Sequence, residues 1–385
     1  MLALQQATSL VPVLAFAAEP VGAPPPVLRA DASGDLALRP VGGEPVLVLR
    51  RSSDVLAALS DTSRFGMAGV TRSGELRRCP LTGAEMQSPD GGLLNMDPPR
   101  LRGYRRRIGG LFTRRAAEAT RPALAAIAAR LAASLAGRGT VDALAQFAEP
   151  FTAAAVCQAM GVPLRDWDKI AAFSRVAFAI VPSPAAIPQV AAAWEDLYRY
   201  YGQGSRPAGS LTAQLAGALN GYSAGQVVHT IGTVSNGFGA VLPVLAVALT
   251  EVAQRPGIIR ACRCGEWTWT AVAEHLLRHR AMFPVALPRV ALADTHLGGR
   301  LVSEGTVVLP SLTAAAHHRG GRPAPRNIAF GAGPHFCPGA ALTRVWLTVA
   351  LEEFFGAFPA AHLAGGLEWQ PGTLPVPREI PLALR

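Results

Sequence analysis

Phe330-Gly331-Ala332-Gly333-Pro334-His335-Phe336-Cys337-Pro338-Gly339, continued by Ala340-Ala341-Leu342-Thr343-Arg344, is the stretch on which the reading of this chain turns. It sets one cysteine between a glycine-rich loop and an apolar run that reads as a helix. Proline favours the first helical position, where its missing N–H is not needed. Pro338 is therefore expected to open the helix, with Cys337 at its positive end, which lowers a thiol's pKa and favours the thiolate. Gly333 allows a turn that a side chain would obstruct, and Gly339 lets the helix come close to a flat ligand. Phe330 is placed to shield the sulfur from water. His335, two residues before the sulfur, is placed to donate to an anionic group.

A thiolate so held is the ligand a haem iron takes from cysteine. The spacing Phe-x-x-Gly-x-His-x-Cys-x-Gly resembles the haem-binding loop of the cytochrome P450 family, and all its fixed positions are present. Two other readings of these residues stay open at this point. One is a nucleophilic cysteine activated by His335 and the helix end; the other is a small buried residue without chemistry.

Outward from the loop, no Gly/Ser linker, repeat or change of composition divides the 385 residues, so 1–385 are expected to form a single domain. Half the residues are hydrophobic, enough for a large core. Alanine-rich runs such as 116–136 favour helix. The net charge is +10, and Lys169 is the only lysine among 36 basic residues. No basic run is interleaved with aromatics and no nucleic-acid-binding motif appears, which speaks against a nucleic-acid partner. A basic surface suits an acidic protein instead. Cys79, Cys157, Cys262, Cys264 and Cys337 are odd in number and scattered, which argues against a disulfide framework. Residues 10–18 are apolar, but no basic residue precedes them, so they do not read as a secretory leader. Residues 231–250 approach bilayer-spanning length. Asn236, three glycines and Pro243 interrupt them, and they read as a buried central helix. A cytoplasmic address with no membrane contact is expected.

Strands are expected at 36–38 and 46–49, turned at Gly42-Gly43, then a helix over 55–59 capped by Ser52-Ser53-Asp54. Residues 66–92 read as a loop over a pocket, joined in that role by 173–188 and 375–381. Helices are expected over 100–112, 116–135, 143–160, 191–201, 211–219, 225–254, 271–280 and 340–358, with short strands at 289–292 and 306–309. The class is mainly α with small β-sheets, and the order of elements is similar to the cytochrome P450 fold along nearly the whole chain.

The resemblance implies a haem b whose iron is held by the Cys337 thiolate. It places Arg105, on the helix after Asp97-Pro98-Pro99, and Arg289, in Pro288-Arg289-Val290, on the two haem propionates beside His335. Arginine suits buried carboxylates because its planar fork binds them bidentately. It implies a monooxygenase-type oxidation or oxidative coupling of a natural-product intermediate in antibiotic biosynthesis. Dioxygen would be the oxidant, and a ferredoxin with its reductase the electron source.

The chain also departs from the family's pattern. Leu101 stands where a histidine is usual, and His275-Leu276-Leu277-Arg278 stands where Glu-x-x-Arg is usual, with Glu274 adjacent. The segment between Ala316 and Phe330 is short. Gly239 and Ala240 stand where family members carry an acid and a threonine that deliver protons above the iron. Ser235 and Asn236 are the nearest polar groups. These departures carry an alternative: a non-catalytic relative that activates a partner glycosyltransferase. The intact cysteine loop, Arg105 and Arg289 oppose it.

Overall fold

A computed structural model describes residues 36–38, 46–67, 93–94, 96–172, 187–279, 285–317, 327–370 and 376–384. The expected turn at Gly42-Gly43, most of the 66–92 loop, nearly all of 173–188 and the short segment before Phe330 lie outside these residues, as do residues 10–18.

The helices that build the site are α1 (Ser52–Ser60), α2 (Arg100–Ile108), α3 (Arg121–Ser134), α4 (Glu149–Met160), α5 (Ile187–Gln203), α6 (Ala224–Gly239), α7 (Val241–Ala253), α8 (Trp269–His279) and α9 (Ala340–Ala357). The strands are β1 (Leu36–Leu38), β2 (Val46–Leu49), β3 (Phe65–Gly66), β4 (Thr140–Asp142), β5 (Arg289–Ala291), β6 (Thr295–Leu297), β7 (Arg300–Val302), β8 (Val307–Pro310), β9 (His362–Leu363), β10 (Trp369–Gln370), β11 (Val376–Pro377) and β12 (Pro381–Ala383). The main sheet has the order β1-β2-β8-β5-β3. In it β2 runs parallel to β8, Val46 beside Val307, and β5 runs antiparallel to β8, Arg289 beside Val308.

The described residues form two hydrophobic cores. The larger lies among the helices, where α9 packs against α3 and α8. The smaller lies under the main sheet and includes Leu49, Leu59, Phe65 and Val308. The cysteine loop is the seam between them. Ala329, Phe330, Cys337 and Ala340 belong to the helical core, and Ile328 and Ala332 to the sheet core. Burying apolar surface on both sides helps fix the loop's position.

Several expected boundaries change. Helix α1 starts at Ser52, and its N-cap is Arg51, which makes no side-chain cap. The Ser52 hydroxyl instead donates to the Ala315 carbonyl at 2.6 Å, tying α1 to the short helix Leu312–His317 that follows β8. The expected helix over 116–135 is broken at Ala119-Thr120. The apolar stretch over 224–253 is long enough to cross a membrane, but 67% of its most apolar window is buried inside the protein. It is the central helix of the core, as its interruptions suggest. A Ser223/Gln226 capping box starts it, and it is interrupted at Ala240. Pro243 has no N–H to offer the carbonyl of Gly239 four residues earlier, which accounts for the break.

Candidate active site

The cysteine loop closes on itself. The Cys337 N–H donates to the Phe330 carbonyl at 3.0 Å, and the Phe336 N–H to the Gly333 carbonyl at 3.0 Å. Gly331 and Gly333 adopt φ of 72° and 69°, a region that side chains disfavour. A Cβ on Gly333 would collide with the Leu59 carbonyl oxygen and lie 2.8 Å from Ser60 Cα, so this turn sits directly on the end of α1. Gly339 has an ordinary φ of −73°. A Cβ there would face the Cys337 sulfur at 3.8 Å, so its smallness leaves room beside the sulfur.

Two expectations about the sulfur need correction. Pro338 does not open the helix: Gly339 is the N-cap and Ala340 the first helical residue. The helix end does not leave the thiol with a lowered pKa either. Burial pushes the Cys337 thiol up, outweighing the downward pull of the Gly339 N–H, the Arg105 and Arg344 charges and the Ala340 N–H. In a buried apolar setting the neutral form wins unless a cation binds the sulfur.

Beside the loop, α2 and β5 bring three basic side chains together. Arg105 donates to the Phe336 carbonyl at 2.5 Å. Arg289, only 3% exposed, donates to the Leu287 and Pro288 carbonyls at 2.9 and 3.1 Å and lies against Met67 Sδ. His335 is pushed down to about 3, first by burial, then by the Arg289 and Arg105 charges, with the Met96 backbone hydrogen bond opposing. Burial pulls Arg289 down to about 10, and Asp97 works the other way. Asp97, the neighbouring carboxylate, accepts the Met67 N–H at 2.9 and 3.0 Å. Two buried nitrogens facing this cluster, Arg105 Nε and His335 Nε2, have no hydrogen-bond partner among the described residues. A wall of two arginine charges with an orphaned Arg105 donor and an unpartnered His335 nitrogen, beside a buried sulfur, fits a ligand that carries both carboxylates and a thiolate-seeking metal. Haem is such a ligand.

Leu101, in place of the usual histidine, is fully buried in the helical core. Phe330 is buried, as expected; its ring lies 4.5 Å under the Arg344 guanidinium and meets Phe336 edge-on. Along the central helix, Gly239 and Ala240 fall at the interruption. Ser235 is not at the open face: it is fully buried and accepts a hydrogen bond from Tyr201 on α5 at 2.7 Å. Asn236 is partly exposed, and a Cβ on Gly237 would meet nothing within 4 Å, so this face of the helix borders open space.

Sequence reasoning missed Asp97 and Met67, which join the cluster only through β3 and β5. It also left Arg344 without a role and Glu274 without a settled partner. Glu274 pairs with Arg344 and accepts from Asn327 Nδ2 at 2.8 Å. The carboxylate missing from position 275 is thus supplied one residue earlier, toward a different helix.

No protein-family model matches the chain. It is 30% identical over 361 residues to the mycinamicin IV hydroxylase/epoxidase of Micromonospora griseorubida, covering 88% of this chain and 89% of that protein. It is 27% identical over 340 residues to cytochrome P450-SU2 of Streptomyces griseolus, covering 84% of this chain and 82% of that one. The structure of CYP154A1 from Streptomyces coelicolor A3(2) superposes with a TM-score of 0.80 at 26% identity, covering 92% of this chain and 95% of that one. Helix order, small sheets and a cysteine loop beside a cationic wall define a haem-thiolate oxidoreductase. The chain belongs to the cytochrome P450 family. Its relatives are named for oxidations, which favours the enzyme expectation over the glycosyltransferase helper.

Proposed function

We propose that this chain oxidises a small natural-product intermediate on a haem gripped by Cys337, Arg105, Arg289 and His335, and that residues 1–385 act as one domain. The observation that carries the reading is the pair of orphaned buried nitrogens, Arg105 Nε and His335 Nε2, facing the same cluster as Arg289. When bound, the haem supplies the oxidising chemistry, and a thiolate ligand favours cleavage of the O–O bond.

The chain's own residues set the conditions. Cys337 holds the metal, with the Gly339 and Ala340 N–H groups donating to its sulfur. Phe330 and the two cores around the loop keep water from the sulfur. Arg105 fixes the loop by its bond to the Phe336 carbonyl while its Nε is left for the ligand. Along the central helix, Gly237, Gly239 and Ala240 offer no side-chain hydrogen bond, and a Cβ on Gly237 would meet nothing within 4 Å. Protons then come from water or from a hydroxyl of the substrate. Oxidative coupling and desaturation depend less on such delivery than hydroxylation or epoxidation does.

Exposed Arg102 and Arg106 flank Arg105 near the exposed Phe336, which suits an acidic electron donor such as a ferredoxin served by its reductase, in the cytoplasm. The test is to supply haem-loaded protein with dioxygen, a ferredoxin–reductase pair and a panel of natural products, and to read products by mass spectrometry. Gain of an oxygen atom or loss of two hydrogens is expected. Electron consumption that yields peroxide alone with every compound that perturbs the haem spectrum contradicts the reading.

A further inference from the structure

Arg344 stands in the second turn of α9, the helix that Cys337 leads into, and it touches the chain on both sides of the sulfur. Its guanidinium covers the Phe330 ring at 4.5 Å, and Phe330 accepts the Cys337 N–H. Its Nη1 donates to the Ala340 carbonyl at 3.2 Å, in the first turn after the loop. Its Nε donates to Glu274 on α8. Glu274 in turn accepts from Asn327 Nδ2 at 2.8 Å, and Asn327 Oδ1 accepts the Ala329 N–H at 3.0 Å. The loop is therefore held at its entrance by Asn327 and at its exit by Arg344, and one carboxylate joins the two.

The charge balance is as informative as the contacts. The Arg344 guanidinium, held over the Phe330 ring and bonded to the Ala340 carbonyl, puts a positive charge against the loop that carries Cys337. Glu274 cancels part of that charge. Burial pushes the Glu274 carboxyl up, but the Arg344 and Asn327 hydrogen bonds outweigh it, so the group is anionic at neutral pH. Both partners are partly exposed, which screens the pair without abolishing it. A step of one residue along a helix turns a side chain by about 100°. A carboxylate at position 274 therefore reaches across to α9, where one at 275 would point elsewhere.

We propose that the Glu274–Arg344 pair, tied to the loop by Asn327, positions Cys337 and sets how much positive charge its sulfur feels, and so tunes the reduction potential of the haem. This rests on the haem reading of Cys337. Removing Glu274's charge leaves Arg344 unneutralised, which favours the reduced, less positive iron. Removing Arg344's charge leaves Glu274 unneutralised, which favours the oxidised iron.

The experiment is a redox titration of haem-loaded wild type, Glu274→Gln, Arg344→Gln and the double variant, each first checked by its ferrous–carbon monoxide spectrum. Glu274→Gln should shift the midpoint to more positive values and Arg344→Gln to more negative ones. The double variant should return toward wild type. A purely structural role predicts shifts of one sign with loss of the thiolate band in both single variants. Same-sign shifts, or no shift, in proteins that keep the band overturn the tuning alone. A wild type without the band overturns the haem reading and the tuning with it.

Discussion

Gly333→Ala is the substitution for which the structure gives the sharpest magnitude, because the same loop carries its control. Gly331 and Gly333 both sit at positive φ, 72° and 69°. An alanine at either costs about 1–2 kcal/mol for the left-handed backbone. The surroundings differ: a Cβ at Gly331 meets nothing within 4 Å, whereas at Gly333 it meets the backbone of Leu59 and Ser60. Backbone cannot rotate away as a side chain can. The loop and the end of α1 must part by about 1 Å, and overpacking of this kind costs about 1–3 kcal/mol beyond the strain. Because Phe336 bonds to Gly333 and Cys337 follows it, the displacement is carried to the sulfur. Urea unfolding followed by tryptophan fluorescence, with the haem-to-protein ratio of the purified variants, reads both effects. Gly331→Ala should be mildly destabilised and keep its haem. Gly333→Ala should lose at least about 1 kcal/mol more and retain less haem. Equal behaviour of the two variants would refute the docking of this turn on α1.

Three further outcomes follow from the site and the helices around it. Arg105→Gln and Arg289→Gln each remove a charged partner for a propionate, a loss of about 1.5–3 kcal/mol; haem transfer to an acceptor protein should quicken by about 10- to 100-fold, and unchanged transfer rates count against the propionate assignment. His229 is pushed down to about 4 from 6.5 by burial against Trp194 and Tyr198 of α5. The unfolded chain therefore binds the extra proton between those values, and stability is lost as pH falls from about 6.5 to about 4, by up to about 3 kcal/mol. His229→Phe, which keeps the ring stacking, should flatten that part of the stability–pH profile; an unchanged slope contradicts the assignment. Ala240→Thr puts a hydroxyl at the helix interruption and should lower the share of electrons lost as peroxide, measured per electron donor consumed; an unaltered share means position 240 does not border the oxygen site.

What was legible in the sequence was local. The glycines of the cysteine loop announce their own conformations, since positive φ at 331 and 333 is a property of the turn itself. The periodic runs gave the helices, and Pro243 with its neighbouring glycines marked the break in the central one. What was not legible depends on partners far away in the chain. Glu274 and Arg344 are 70 residues apart, and Arg289 meets Met67 across 222. Spacing carries no information about such pairs, so Asp97 went unassigned. The direction in which Ser235 faces was not legible, because adjacent helical residues point in different directions; its hydroxyl is turned to Tyr201. The Cys337 thiol was misjudged because helix ends can be read from sequence and burial cannot; here burial is the larger influence.

The most direct measurement is the absorption spectrum of the reduced protein under carbon monoxide, taken for wild type and for Cys337→Ala after both have been supplied with hemin. The account predicts the strongly red-shifted band of thiolate-ligated haem in wild type and its absence in the variant. A wild type that stays colourless, or a variant with the same band, would contradict it.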